Sequence, residues 1–445
     1  MRLVLLVGQS NMAGRGYATP DDLVPLSGVR HFARDLTWRE AIEPINKDRS
    51  FVGTFAADGT KRISPDPWDA VPPEAGDVVV GVGPGRTFGR LLRAFAPDEE
   101  VGLIPAAVGG SPIAAWLPGG VDPYDPKCHP YDEAIERARA AQKDGEIVAV
   151  LWHQGESNAT LQTPDYESLL RQVIDNFRRD LGLAETVPFI MGTLASFYGE
   201  KYPKITAGAD AIEAAFENIV ADTPYVGLVS AFDLADRGDQ LHFSAEAQHI
   251  LGERYFRMWK SMTSVTPAKL AAQAEKYRDA LRFRTSILLD PGEFLVTSEF
   301  GDRTHPVTGE TAFHAGIDGA IWNGRMLLET GICAWRDGTV IEAADTDGPA
   351  GTYVAIDHGD GVVSRYFHLE LGSLRVAAGD AVREGTVLGW MGKTGRATGE
   401  HLHFQLEKDG VPIDPLPLLS KPTGDVTVKP SNRQTVKPHG EVPSP

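Results

Sequence analysis

The stretch Leu3-Val4-Leu5-Leu6-Val7-Gly8-Gln9-Ser10-Asn11-Met12-Ala13-Gly14 decides how the first half of the chain is read. Five apolar residues in a row, Leu3 to Val7, are too few for a helix and suit a strand buried on both faces. Gly8 ends the run and delivers Ser10 into a polar turn closed by Gly14. In open α/β sheets the carboxyl end of a buried parallel strand is where ligands bind. Ser10 is therefore either a nucleophile at the head of a site or the cap of the helix that follows. Its partners elsewhere in the chain have to decide.

Downstream, further apolar strands alternate with helical patterns. Val101–Ala107, Ile147–Trp152, Val187–Leu194 and Tyr225–Val229 read as strands, and Tyr131–Lys143, Tyr166–Leu181 and Ala209–Ile219 as amphipathic helices. This alternation predicts an α/β class with a doubly wound parallel sheet. Arg15 to Val82, rich in Pro, Asp and Trp, reads as a long irregular stretch carrying small elements of its own. Ser244 is placed to cap a closing helix that buries Ala247, Leu251, Tyr255 and Met258. From about Ile287 the texture changes to short β-prone segments between Gly and Asp turns, which predicts an all-β domain. The expected organisation is an α/β domain over 1–262, a charged, alanine-rich helical linker over 263–286, a β domain over 287–420 and a disordered tail over 421–445.

Bulk composition narrows the function. The 445 residues carry 43 Lys and Arg against 61 Asp and Glu, a net charge of −18, which argues against a nucleic-acid partner. Cys128 and Cys333 lie far apart and read as buried free thiols. No stretch has the length of a membrane-spanning helix, so membrane insertion is not expected. The apolar run after Arg2 is short for an export leader, and cleavage there would remove the strand that carries Ser10.

A serine hydroxyl becomes a nucleophile only beside a base, and that base needs an orienting acid. Asp239-Gln240-Leu241-His242 places an Asp and a His three residues apart in one late loop, where the carboxylate can turn to one ring nitrogen and leave the other for Ser10. Donors for an oxyanion are the amides of Ser10 and Gly110 and the side chain of Gln154. Together with Gly109-Gly110-Ser111 and Trp152-His153-Gln154-Gly155-Glu156-Ser157, these blocks resemble the SGNH hydrolases, in particular their sialate O-acetylesterase-like carbohydrate esterases, over residues 1–260. The resemblance implies Ser10 as nucleophile, Asp239 and His242 as acid and base, and Gly110 and Gln154 as oxyanion donors. Gln154 stands where the broader superfamily has Asn.

The β region holds a second cluster. His314 and Asp318 lie four residues apart around Gly316, and His401-Leu402-His403 alternates so that both imidazoles share one strand face. His314, Asp318 and one histidine of that pair make a three-ligand site suited to Zn²⁺ with a position left for water. Phe300-Gly301-Asp302-Arg303, Pro306, Gly309, Tyr366-Phe367-His368-Leu369 and Gly399-Glu400-His401-Leu402-His403-Phe404 resemble the M23 (LytM/lysostaphin-like) metallopeptidases over 287–419. That resemblance implies His314, Asp318 and His403 as zinc ligands and His368 and His401 as the catalytic pair.

Together the two resemblances imply a bifunctional enzyme of the bacterial cell envelope. Its partners are acetylated glycans and peptidoglycan, with other phage tail proteins as further partners. Attachment to a phage virion is the expected route to the envelope. A secreted autolysin, or a tail or adhesion protein that binds glycans without turnover, is the alternative.

Overall fold

The computed structural model describes residues 1–47, 52–64, 71–201, 206–276, 280–290, 292–304, 311–322, 327–328 and 330–419. The expected tail over 421–445, and Pro306 and Gly309, lie outside the described residues.

The first half is built on one mixed seven-stranded sheet. In chain order its strands are β1 Arg2–Gly8, β2 Val29–Phe32, β3 Trp38–Glu40, β4 Val101–Pro105, β5 Glu146–His153, β6 Phe189–Gly192 and β7 Val226–Val229, in the spatial order β7-β6-β5-β1-β4-β2-β3. The strand read first is thus the middle one, parallel to β5 on one side and β4 on the other. Leu3 to Val7 are almost wholly shielded from solvent. Burying each such side chain contributes roughly 1.5–3 kcal/mol, so this short run anchors the middle of the sheet. Helices α1 Ser10–Ala13, α2 Gly85–Phe95, α3 Pro130–Ala141, α4 Glu156–Leu161, α5 Tyr166–Asp180, α6 Thr206–Asp222 and α7 Ala245–Thr263 connect and cover the strands. Ser244 caps α7, its Oγ accepting from the Ala247 amide at 3.1 Å.

Two features depart from the sequence reading. The stretch from Arg15 to Val82 is not irregular throughout: it supplies β2 and the edge strand β3, which pair antiparallel, and a small sheet of Gly16–Tyr17, Gly53–Phe55 and Val78–Val82. Both strands are short and carry Arg30, His31, Arg39 and Glu40, so no apolar run marks them. The sheet is accordingly mixed at one edge rather than parallel throughout.

After helix α8, Pro267–Lys276, the chain turns to strands. The main path of the second sheet takes β8 Arg282–Phe283, β9 Glu293–Ser298, β10 Ile317–Trp322, β11 Gly338–Ala344, β12 Thr352–Asp357, β13 Val362–Leu369, β14 Ala381–Val382 and β15 Leu402–Lys408 in the order β8-β9-β10-β15-β13-β12-β11-β14. Gly331–Cys333 pairs separately with Val387–Trp390. On β15 the even-numbered Leu402, Phe404 and Leu406 are buried, while His403, Gln405 and Glu407 face the open side.

Candidate active sites

At the head of β1 the chain must make room for β5. A Cβ on Gly8 would stand 2.1 Å from the His153 carbonyl oxygen, and Gly8 has a φ of +128°, so only glycine fits there. The tight exit lifts Ser10 onto the first turn of α1. His242 Nε2 lies 3.1 Å from Ser10 Oγ, and His242 Nδ1 lies 2.7 Å from Asp239 Oδ2. The other oxygen of Asp239 accepts the Leu241 and His242 amides at 3.0 and 2.8 Å, and Arg237 Nε donates to Oδ2 at 2.7 Å. Because Asp239 accepts from Nδ1–H, the imidazole presents its Nε2 lone pair to the serine hydroxyl.

The electrostatics agree with a resting base. Burial works to raise Asp239, but the bonds from His242 and Arg237 outweigh it and hold the carboxyl below the usual carboxylate range. Burial, helped by the charges of Arg237 and Arg15, outweighs the pull of Asp239 and lowers the His242 pKa below its ordinary 6.5. A depressed pKa keeps the imidazole neutral, and so able to accept a proton, further into the acid range. The acid limb of kcat/KM for ester hydrolysis is therefore expected below pH 6.5, and an Arg237→Gln variant should move that limb upward. A pH–rate profile of both proteins on a water-soluble acetyl ester checks this; a wild-type limb above 6.5 would contradict the electrostatic reading.

Ser10, Gly110, His242, Gln9, Arg15, Tyr124 and Arg237 are among the residues lining an open cleft of about 650 Å³. Gln154 is not brought to it. That side chain is fully buried, donating to the Ser111 carbonyl at 3.2 Å and to Asn158 Oδ1 at 2.6 Å and accepting from Tyr166 at 2.8 Å. The geometry corrects its expected place as an oxyanion donor: it braces the turns that carry Ser111 and Asn158. Gln9, beside the nucleophile, is on the cleft wall instead.

Sequence reasoning also passed over Asn11. Its Nδ2 donates to Glu156 Oε1 at 2.6 Å and to the Leu241 carbonyl at 3.2 Å, and its Oδ1 accepts the Phe243 amide at 3.3 Å. The residue after the nucleophile thus ties down the residues on both sides of the base. Glu156 is the buried acceptor that orients this amide; burial raises its pKa. The signal for Asn11 was its place next to Ser10 in a polar turn, but nothing in sequence shows where an amide points.

The second site assembles on β10 and β15, whose antiparallel register sets Asp318 directly opposite His403. His314 reaches them from the end of Thr311–His314, which pairs with Gly301–Thr304. Gly316 permits the approach: a Cβ there would lie 2.3 Å from the Phe404 carbonyl oxygen and 2.9 Å from His403 Nε2. The separations are 3.1 Å from His314 Nε2 to Asp318 Oδ1, 2.8 Å from His403 Nδ1 to the same oxygen, and 3.0 Å between the two nitrogens.

Protonation shows what this trio suits. His314 Nδ1–H donates to the Glu299 carbonyl at 2.7 Å, which leaves Nε2 with a lone pair. His403 Nε2 faces Gln405 Oε1 at 3.5 Å, while Gln405 donates its amide to Glu407 at 2.7 Å, which leaves His403 Nδ1 with a lone pair. Two imidazole nitrogens and a carboxylate oxygen, all within 4.8 Å of one another, converge on one point. Such a donor set fits a divalent cation, and its nitrogen and oxygen atoms suit zinc.

His368 and His401 stand beside the trio, ring centroids 4.9 Å apart, with His401 Nε2 3.8 Å from Asp318 Oδ1. His368 donates from Nδ1 to the Thr394 carbonyl at 2.9 Å, and burial pushes its pKa down to about 4, so it is a neutral ring with a free Nε2 lone pair. All five sequence-predicted residues of the second site are thus brought together, and three of the first site's five, Ser10, Asp239 and His242, form one hydrogen-bonded line, with Gly110 on the same cleft.

Residues 1–261 match the model of the carbohydrate esterase family described as sialic acid-specific acetylesterase. The chain belongs to that family. This acetylesterase-family chain also matches peptidase family M23 over residues 312–415, which makes it a hydrolase with a carbohydrate esterase domain and an M23 peptidase domain. A probable carbohydrate esterase of Arabidopsis thaliana is 31% identical over 273 residues, covering 56% of this chain and 87% of the relative. The X-ray structure of an Arabidopsis thaliana protein aligns with 58% of this chain and 98% of its own at 27% identity and a TM-score of 0.45. The DD-carboxypeptidase/endopeptidase Mpg of Neisseria meningitidis is 38% identical over 132 residues, 30% of this chain and 28% of the relative. On the peptidase side the acetylesterase-family chain therefore spans under a third of that relative's length.

Proposed function

We propose that this protein degrades acetylated cell-wall material with two independent hydrolytic centres, removing O-acetyl groups at Ser10 and cutting stem-peptide or cross-bridge amides at the histidine-rich site. The observation that carries the first half is the Ser10–His242–Asp239 line, with contacts of 3.1 and 2.7 Å. His242 Nε2 takes the proton of Ser10 as Oγ attacks the acetyl carbonyl, and Asp239 holds the imidazolium that forms. The amides of Ser10 and Gly110 are the proposed oxyanion donors. His242 then returns its proton to the departing sugar oxygen, and the acetyl-enzyme is released by water that the same base deprotonates.

In the second half, His314, Asp318 and His403 would hold zinc, which supplies Lewis-acid polarisation and an acidified water. His368 and His401 hold and move protons at their Nε2 atoms beside it. A relative supports the substrate: a Vibrio cholerae protein 38% identical over 120 residues is a peptidoglycan DD-endopeptidase. Delivery on a phage virion is a separate proposal that neither centre bears on; antibody detection in purified particles tests it.

The test of the joint reading is mass spectrometry of acetylated peptidoglycan before and after digestion. Free acetate with loss of 42-dalton-class acetyl adducts, together with newly exposed amines at the cut amide, is the expected result. Tight glycan binding with neither product would replace the enzyme reading with that of a binding protein.

A further inference from the structure

The last helix of the esterase half does more than close its own core. On α7, Arg257 lies over the Trp390 ring, 4.2 Å from its centroid, and pairs with Glu370. Glu253, one turn earlier, accepts from Arg257 at 2.9 Å and from Arg375 at 3.0 Å. The partners beyond α7 are thus Trp390, Glu370 and Arg375, all on the peptidase side.

Two of these partners sit where the peptidase histidines are hung. The Glu370 amide donates to the Trp390 carbonyl at 2.8 Å, and Leu369 bridges to Met391. Four residues beyond Trp390, Thr394 donates its hydroxyl to the Leu369 carbonyl at 2.6 Å and accepts His368 Nδ1–H on its own carbonyl at 2.9 Å. The His401 amide donates to the Gly392 carbonyl at 3.1 Å. Residues 390–394 therefore carry the ring of His368 and the backbone of His401, and Arg257 covers the tryptophan at their base. His368 itself has a φ of +66°, in the left-handed region. That conformation is unfavourable for a non-glycine residue and persists only where the surroundings over-determine it.

We propose that Arg257, a residue of the esterase half, is a positioning residue for the peptidase: by clamping Trp390 and Glu370 it fixes the strand ends that present His368 and His401 to the metal-binding trio. The inference rests on the reading of that histidine pair as the proton-handling groups of the peptidase. It separates the two parts of the second centre. Asp318 and His403 are set by the register of β10 with β15, and His314 by the pairing of Thr311–His314 with Gly301–Thr304; neither Trp390 nor Glu370 belongs to these ladders, so metal affinity should not depend on Arg257.

The experiment compares full-length protein with Arg257→Ala and Arg257→Lys variants in four readouts: hydrogen exchange by mass spectrometry, zinc titration, peptidoglycan turnover, and hydrolysis of a soluble acetyl ester. In Arg257→Ala, amides in 369–371 and 390–401 are expected to exchange about tenfold faster, on the scale of a lost cation–π contact within an ion-pair network. Peptidase kcat should fall about five- to tenfold with KM, zinc affinity and esterase rate unchanged. Arg257→Lys, which keeps the ion pairs, should recover part of both losses. Unchanged exchange and kcat in Arg257→Ala overturn the proposal, and so does an equal loss of zinc affinity, which marks a general structural role. Wild-type protein inert on peptidoglycan but faster-exchanging on substitution would reject the peptidase reading while leaving the clamp standing.

Discussion

Replacing Ser10 with alanine is expected to lower acetyl-ester hydrolysis by about ten-thousandfold or more while peptidoglycan cleavage continues at the wild-type rate. The magnitude follows from the chemistry removed. Without Oγ there is no covalent intermediate, and His242, aligned by Asp239 at 2.7 Å, has no nucleophile to deprotonate. His242→Ala should cost nearly as much, and the double variant little more, because the residues act as one unit. Measuring initial rates of both activities in the same preparation checks this. Loss of both activities in Ser10→Ala would point to unfolding, and retention of esterase activity would remove Ser10 from the mechanism. The second site supplies the internal control, because its nearest groups belong to other strands of another sheet.

Removing the metal, or a ligand to it, should have the opposite signature. A chelator, or His314→Ala, is expected to abolish peptidoglycan cleavage and leave acetyl-ester hydrolysis intact. Bound zinc, measured by elemental analysis, should fall from a single ion per chain to background. Stability should follow with a definite sign. A cation that binds only the folded form stabilises it by about 4 kcal/mol at a thousandfold excess over its dissociation constant. Chelation should therefore lower the unfolding midpoint of the β domain, and re-addition of zinc should restore it in the wild type but not in His314→Ala. Cleavage that survives exhaustive chelation, or protein purified without zinc that is fully active, would dismiss the metal. His314 is the stricter test of the ligands because its Nδ1 bond to Glu299 fixes the tautomer, so no other nitrogen can take its place.

How much of this is legible in sequence depends on which forces place each group. Ser10, Asp239 and His242 were legible because backbone placement decides them. A buried strand ends in a tight turn, and an Asp three residues before a His in one loop can turn back on it. His314, Asp318 and His403 were legible for the same kind of reason, since strand alternation and a glycine between ligands leave few other directions. Gln154 was misplaced because it follows a strand in the right way yet its direction is set by packing: Tyr166, Ser111 and Asn158 together satisfy its amide in the core. Asn11 was overlooked for the complementary reason. Its importance comes from bonds to residues 145 and 230 positions away, which no local pattern encodes. Strands β2 and β3 escaped because they are only four and three residues long and are interrupted by Arg30, His31, Arg39 and Glu40, so no apolar run marks them. Arg257 lay within a helix whose buried side was read, but its partners are in the other half of the chain.

The central place of β1 also bears on how the protein comes into being. Leu3 pairs with Gly102 on one side and Ile147 on the other. The strand that carries the nucleophile therefore cannot complete either ladder until a long, loop-rich intervening stretch has been synthesised, and its base at position 242 arrives later still. Pairings of such separation fold slowly, because the closure entropy of the intervening chain is lost before the contacts form. In the meantime an apolar five-residue segment stays exposed with both edges unsatisfied, a form prone to association with like segments. Yield of active esterase should thus depend more on synthesis rate and chaperone supply than the antiparallel second sheet does, whose long neighbours β11, β12 and β13 are consecutive in the chain.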